Sequence, residues 1–276
     1  PTLEEQQAID LINDQHRSSL LAGLPQEPSD FRPKLDANAW LTSERILIYL
    51  RSSKGDSGRA VKRLRSTLEW RATYRPHAIT PADMLEEGAT GKQYVNGFDR
   101  GGRPIIYMFP HKENTKNPAE NLRWVVFNME QAIRSMPPGA TKTTIIVDTS
   151  KYSLSQAVPL STAREFLNIL ESHYPERLHK AFILSPPSYF VLFYHIVSPF
   201  IDPVTKAKIA FVDLAAGAKA KPTAAGPWAN IFDHIEAEQL QSDVGGAWEY
   251  RYSQEAYWPV LERMHNALAV SPRMPE

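Results

Sequence analysis

With 276 residues, 42% of them hydrophobic, the chain can bury a substantial core, as one large domain or a small one beside a larger one. Its 31 basic residues balance 31 acidic ones, which argues against nucleic acid as the main partner, because phosphate binding draws on a basic surplus. The absence of cysteine excludes disulfides and thiolate metal sites and fits a reducing cytosol; no apolar run approaches a membrane span, and the polar start PTLEEQQAID is not expected to be a signal peptide.

Glu4 to Leu21 places Ala8, Leu11, Ile12 and Leu20 on one face, which predicts an amphipathic helix. A Pro/Gly-rich link follows from Gly23 to Pro33. Ala39 to Leu50 and Gly58 to Tyr74 read as two further helices, broken by Lys54-Gly55-Asp56-Ser57. In the second, Val61, Leu64, Leu68 and either Thr67 or Ala72 keep the helical rhythm, while Arg59, Lys62, Arg63 and Arg65 take the other face. That face reads first as solvated. A lesser reading is attraction to anionic lipid, where each basic residue contributes on the order of 1 kcal/mol.

From Gly91 the pattern changes. Lys92 to Phe98 and Pro104 to Phe109 read as strands joined by Asp99-Arg100-Gly101-Gly102, a hairpin signal. Ala119 to Met136 predicts a long helix, Thr143 to Val147 a buried strand leading into Asp148, and Pro159 to His173 another helix. Leu178 to Leu184 and Lys208 to Val212 are apolar runs of strand length. Between them Tyr189 to Val197 (YFVLFYHIV) predicts a helix whose one charged or titratable side chain of note is His195. A helix apolar all round is buried or faces something other than water. After Asp213 the stretch AAGAKAKPTAAGPWAN reads as a loop, Glu236 to Gln241 as a short helix, and Trp258 to Val270 as a final one.

Strands alternating with helices imply an α/β fold with a mainly parallel sheet. The expected organisation is a helical N-terminal subdomain over 1–90, a sheet domain over 91–250 and a helical extension over 251–276. Catalysis is not expected, because G-x-S-x-G, G-x-x-x-x-G-K-[ST], H-E-x-x-H and G-x-G-x-x-G do not occur. Asp148 has no partner base near it in sequence and reads as a cap or turn residue. His173, His195 and Tyr152 are of the types that ligate haem iron, but no motif joins them.

Tyr174-Pro175-Glu176-Arg177-Leu178, a strand closed by Ser185-Pro186-Pro187, the aromatic helix, and PFIDPVTKAKI from Pro199 to Ile209 resemble the CRAL-TRIO lipid-binding family, in particular its fungal phosphatidylinositol transfer proteins. The likeness runs from about Trp40 to Gly246. It implies a helical subdomain followed by a mainly parallel sheet flanked by helices, enclosing a cavity for one lipid. It also implies that the helix at 189–197 is a gate that swings open at a membrane, with Tyr189, Phe190, Leu192, Phe193 and Ile196 in gate and cavity. The resemblance assigns Glu176, Thr205 and Lys208 to a phosphatidylinositol headgroup, together with Asp202, which fits equally as a brace of the turn. A hydroxyl and an ammonium at that junction suit a phosphate or an inositol ring. Gly246 matches a structurally sensitive glycine of the family.

The departures from the family carry as much weight. Where a relative that also takes phosphatidylcholine has tyrosines and a Ser-x-Thr, this chain has Val95, Ile106, Met129 and Thr143-Thr144-Ile145, and Ser53 stands where some members have arginine. A choline phosphate there would be desolvated and poorly paired. The expectation is phosphatidylinositol without phosphatidylcholine, and a second ligand with a tiny polar head, such as a sterol. WLTSER at Trp40–Arg45, Asn114 to Lys116 and AYWPVL at Ala256–Leu261 resemble the fungal branch associated with azole tolerance, whose members bind phosphatidylinositol and sterol. Exposing the roughly thirty methylenes of a two-chain lipid, at about 0.8 kcal/mol each, costs roughly 20 kcal/mol or more. A soluble carrier therefore needs an enclosed apolar cavity, and one of cytoplasmic location would touch membranes only peripherally. Two other readings stand beside transfer: a regulatory module that presents phosphatidylinositol to a lipid kinase, and a carrier of another hydrophobic ligand such as a tocopherol or retinoid.

Overall fold

Thr2 opens the first helix with a capping box: its hydroxyl accepts from the Glu5 N–H, and its own N–H donates to the Glu5 carboxylate. The structure, a computed structural model, describes residues 1–153, 160–214 and 228–267. Two units emerge, one of Pro1–Ile79 with Leu167–Glu176, the other of Thr80–Phe166 with Arg177–Glu276.

The first unit holds α1 (Leu3–Leu11), α2 (Arg17–Leu21), α3 (Ala37–Trp40), α4 (Ser43–Ser52) and α5 (Ser57–Tyr74). A π-helical turn at Ile12–His16 joins α1 to α2, so the predicted helical path to Leu21 is present. Its buried stripe is Ile9, Ile12 and Leu20, whereas Leu11 is exposed. The wide turn holds an extra residue and re-phases the stripe, which a 3.6-residue reading misses. The predicted helix over Ala39 to Leu50 is split. Asp36 caps α3 through the Ala39 N–H (2.8 Å), and Thr42 caps α4 through the Arg45 N–H (3.3 Å). In α5 both Thr67 and Ala72 are buried. Its basic face is partly engaged: Arg63 donates to the Ser52 carbonyl and hydroxyl and to the Glu171 carbonyl, and Arg65 pairs with Glu69 and reaches the Leu20 carbonyl. These two arginines hold their unit together, which leaves Arg59 and Lys62 as the exposed cations of that face.

The second unit contains α6 (Leu85–Gly88), α7 (Pro118–Arg134), the first half of α8 (Leu160–His173), α9 (Ser188–Val197), α10 (Pro203–Lys206) and α11 (Gln254–Ala267). Among the described residues β1 (Gln93–Phe98), β2 (Pro104–Met108), β3 (Thr143–Asp148), β4 (Leu178–Leu184) and β5 (Ile209–Val212) form one sheet in the order β1-β2-β3-β4-β5. β1 and β2 are antiparallel and the remaining pairs parallel, as the alternation of strands and helices predicts. Asp99 ties the hairpin, accepting from the Gly101 and Arg103 N–H groups (2.8 and 3.0 Å), the Arg103 guanidinium (3.1 Å) and the Thr144 hydroxyl (2.7 Å).

The two faces of the sheet are covered unequally. On one, Tyr94, Tyr107, Ile146, Phe182, Leu184 and Val212 are 0–2% exposed beneath Ile231, Ile235, Leu240 and Val244. The other carries Val95, Ile106, Ile145, Ala181 and Ile183, with α7 packed at the β1–β2 end. There Val95, Ile145, Ala181 and Ile183 retain 7–9% exposure, and Met108, Val147 and Ile209 are only half-buried.

Elsewhere the chain departs from its pattern. Glu236 to Gln241 contains one 3-10 turn, Ala237–Gln239, too short to be the helix expected. α11 begins at Gln254, before the predicted Trp258, and carries Pro259 within it. Most of the predicted loop after Asp213 and the predicted helix end at Val270 lie outside the described residues. A Cβ on Gly246 would stand 1.9 Å from the Leu240 carbonyl oxygen, so this glycine answers a backbone need.

Candidate functional site

The DPVTKAK stretch forms a capped single turn. Asp202 accepts from the Val204 and Thr205 N–H groups (2.9 and 3.0 Å), and Pro203 supplies the preset φ of a first helical residue. Burial would raise the Asp202 pKa, but the Thr205 hydroxyl, these two N–H groups and the nearby Lys208 charge outweigh it and hold the carboxyl below its usual range. Asp202 is thus a brace of the turn, and the Thr205 hydroxyl is directed at it. Lys208 is half-buried and stitched in place: its N–H donates to the Thr205 carbonyl and its carbonyl accepts from Ala181 in the middle of β4. The turn therefore delivers an oriented hydroxyl, a braced carboxylate and an ammonium at the head of β5.

Glu176 belongs to the first unit and has a left-handed backbone with φ 56°, unusual for a residue other than glycine. Within that unit the Arg51 guanidinium is held chiefly by Glu5 (2.8 and 3.0 Å), and the Glu176 carboxylate adds to its field. Its neighbour Arg177 is buried and donates to the Thr141 carbonyl at 2.8 Å, so it serves the entry to β3 and β4. Ser53, at the position where some family members have arginine, is buried with its Oγ unpartnered.

On the less covered sheet face, Val95 pairs with Ile106 and Ile106 with Ile145, so three of the four predicted aliphatic positions form one row across three strands. Met129 is buried on α7, which packs on β1 and β2. The Thr143 and Thr144 hydroxyls are engaged elsewhere, on the Pro104 carbonyl (2.7 Å) and on Asp99.

α9 is apolar on two sides. Tyr194 and Val197 point inward, with the Tyr194 ring edge-on to Phe211 at 5.2 Å. The Tyr189 hydroxyl donates to the Tyr152 carbonyl, and Phe190 meets the Tyr152 ring edge-on at 5.7 Å. Leu192 and Ile196, expected in gate and cavity, project into solvent at 63% and 52% exposure, so they lie on the outer side of the helix. The Phe193 side chain lies outside the described ones. The outward stripe continues at four-residue steps through Phe200 and Val204, both about half exposed, and the Arg164 guanidinium sits over the Phe200 ring at 4.0 Å. Reading the sequence missed Arg164, because a cation on one helix gives no local sign of an aromatic partner thirty-six positions on.

Among the described residues no group of His, Asp and Glu is placed to hold a metal, and no helix is long and apolar enough to cross a membrane. The His173 ring, one of the residues of haem-ligating type, stacks on Trp70 at 4.2 Å with its Nδ1 3.1 Å from the Thr67 hydroxyl.

A five-stranded, mostly parallel sheet flanked by helices defines an α/β class. Residues 88–246 match the CRAL/TRIO domain, and the chain belongs to that family. Over 222 residues it is 36% identical to a CRAL-TRIO domain-containing protein of Schizosaccharomyces pombe, covering 80% of this chain and 20% of that protein. Over 232 residues it is 34% identical to phosphatidylinositol transfer protein PDR17 of Saccharomyces cerevisiae, covering 80% of this chain and 62% of PDR17. This chain therefore spans less than two thirds of either relative's length. The crystal structure of Sfh5 superposes with a TM-score of 0.56 over 95% of this chain and 98% of that one, at 15% identity, a likeness of fold alone.

Proposed function

We propose that this protein binds phosphatidylinositol between the aliphatic sheet face and the gate helix α9, exchanges it at membranes, and takes a sterol or similar apolar molecule in place of phosphatidylcholine. The observation that carries the reading is the unequal covering of the sheet: protein seals one face to 0–2% exposure, while on the other Val95, Ile145, Ala181 and Ile183 keep 7–9% and Met108, Val147 and Ile209 are half-buried. An apolar surface left open in this way lacks dispersion partners until a ligand supplies them. Phosphatidylcholine fits poorly because Val95, Ile106 and Met129 offer no donors, while the hydroxyls of Thr143 and Thr144 are already engaged. The outward stripe of Leu192, Ile196, Phe200 and Val204, with Arg164 over Phe200 and the Lys206 ammonium reaching the Ser198 hydroxyl, suits transient contact with an anionic lipid surface.

The headgroup grip in this reading is Thr205 and Lys208 on the turn braced by Asp202, with Glu176 assigned to the same task. Vesicle-to-vesicle transfer of labelled phosphatidylinositol, phosphatidylcholine and sterol tests it. Lys208→Ala and Glu176→Ala should each abolish phosphatidylinositol transfer with far-UV circular dichroism unchanged, while sterol uptake persists. Transfer that survives both changes removes the grip, and efficient phosphatidylcholine transfer by the parent protein removes the proposed selectivity.

A further inference from the structure

The aliphatic face holds one residue that its pattern does not explain. Gln93 lies two positions before Val95 on β1, on the same side of the strand, and pairs with Met108, the least covered residue of β2. Its side chain is 5% exposed, and its Nε2 is buried with no hydrogen-bond partner. Its Oε1 also has no partner among the described residues but is not sealed from solvent. The row it starts continues through Met108, Val147 and Ile183, which have no polar group to offer. A buried amide N–H left unpaired destabilises a fold, and such a group calls for a partner that the protein itself does not supply.

We propose that Gln93 is the polar anchor for an oxygen carried on the apolar body of the bound ligand, foremost the single hydroxyl of an uncharged alcohol such as a sterol. A hydroxyl accepts from Nε2–H and donates to Oε1, so it satisfies both ends of the carboxamide. An ester carbonyl of a glycerolipid has the same acceptor chemistry but satisfies only the donor. The inference rests on the lipid-cavity reading above and adds a position that discriminates between ligands. A site built to hydrogen-bond a hydroxyl rejects the analogue that lacks it far more strongly than an apolar wall does.

The test uses Gln93→Leu in the full chain, with Gln93→Met as the second variant should the branched residue prevent folding. Binding is measured for a fluorescent sterol with a free hydroxyl, for the same ring system without it, and for phosphatidylinositol, alongside thermal unfolding of lipid-stripped protein. The expected result is an affinity for the hydroxylated sterol about ten- to a hundredfold weaker. Binding of the hydroxyl-free sterol and of phosphatidylinositol should not change, and the stripped variant should melt at higher temperature because the unpaired group is gone. A loss confined to phosphatidylinositol assigns the amide to the ester carbonyl instead. If the variant binds both oxygen-bearing lipids as tightly as the parent, the anchor is overturned while the cavity reading stands. A parent protein that takes up neither lipid removes both.

Discussion

His173 is a neutral ring in the folded protein. Burial, and then the charges of Arg71 and Arg63, push its pKa down to about 4 from an ordinary 6.5. Between those values the unfolded chain binds a proton that the folded chain refuses. The stability tied to the neutral ring is therefore fully present above pH 6.5 and is lost as pH falls toward 4. His179 and His265 are lowered to about 4 as well, burial again leading, and act in the same direction. Urea midpoints should fall as pH drops across this window, and His173→Phe should remove roughly 2 kcal/mol of the change, less than the full shift implies because the ring is partly exposed to screening solvent. An identical pH slope in the variant would show that the ring titrates normally. None of this was legible from the sequence, where His173 is one of eight histidines and its stacking partner Trp70 lies about a hundred positions away. Asp202 was half legible: the motif placed it beside Thr205 and Lys208, and only the cap geometry settles its carboxylate on the turn.

At the scale of elements, α9 was read from its composition and bounded to within a residue, because Pro187 and Pro199 punctuate it on both sides. Which of its residues face outward was not readable. A helix apolar all round has no polar side to orient it, so Leu192 and Ile196 were indistinguishable from Tyr194 until the Phe211 contact fixed the rotation. Splits inside helical runs were equally hidden: apolar spacing runs straight through Thr42, and it is the cap that breaks the helix. The outward stripe makes a direct prediction. Leu192→Gln with Ile196→Gln removes apolar surface already in water, so the melting temperature should hardly move. Flotation with vesicles of phosphatidylcholine and phosphatidylserine should drop by about tenfold or more, each lost side chain contributing on the order of 1–2 kcal/mol of insertion. Undiminished flotation would place membrane contact on another surface. Arg164→Gln supplies a second reading at the far end of the stripe. It uncovers Phe200 and should speed amide exchange in Ser198–Phe200 without vesicles, an effect that vanishes in a Phe200→Leu background if the pair is coupled.

For the molecule as a whole, the α/β class and the parallel sheet were legible because β3, β4 and β5 are short apolar runs separated by helical ones. The partition into units was less so. Leu167–Glu176 belongs with Pro1–Ile79, and the boundary between Phe166 and Leu167 falls inside α8, where no glycine, proline or change of composition marks it. The strand order has a consequence for how the molecule is made. Because each strand is laid beside its immediate predecessor in the chain, a polypeptide leaving the ribosome can zip its sheet from β1 toward β5 without waiting for a distant segment. Nascent chains arrested after β3 has cleared the exit tunnel should already protect the β1–β2 hairpin from protease, and every later arrest point should extend that protection by one strand. Throughout synthesis two edges would lie bare, the moving one of the newest strand and the fixed one of β1, whose Val95 meets the Tyr257 hydroxyl only once α11 has been made.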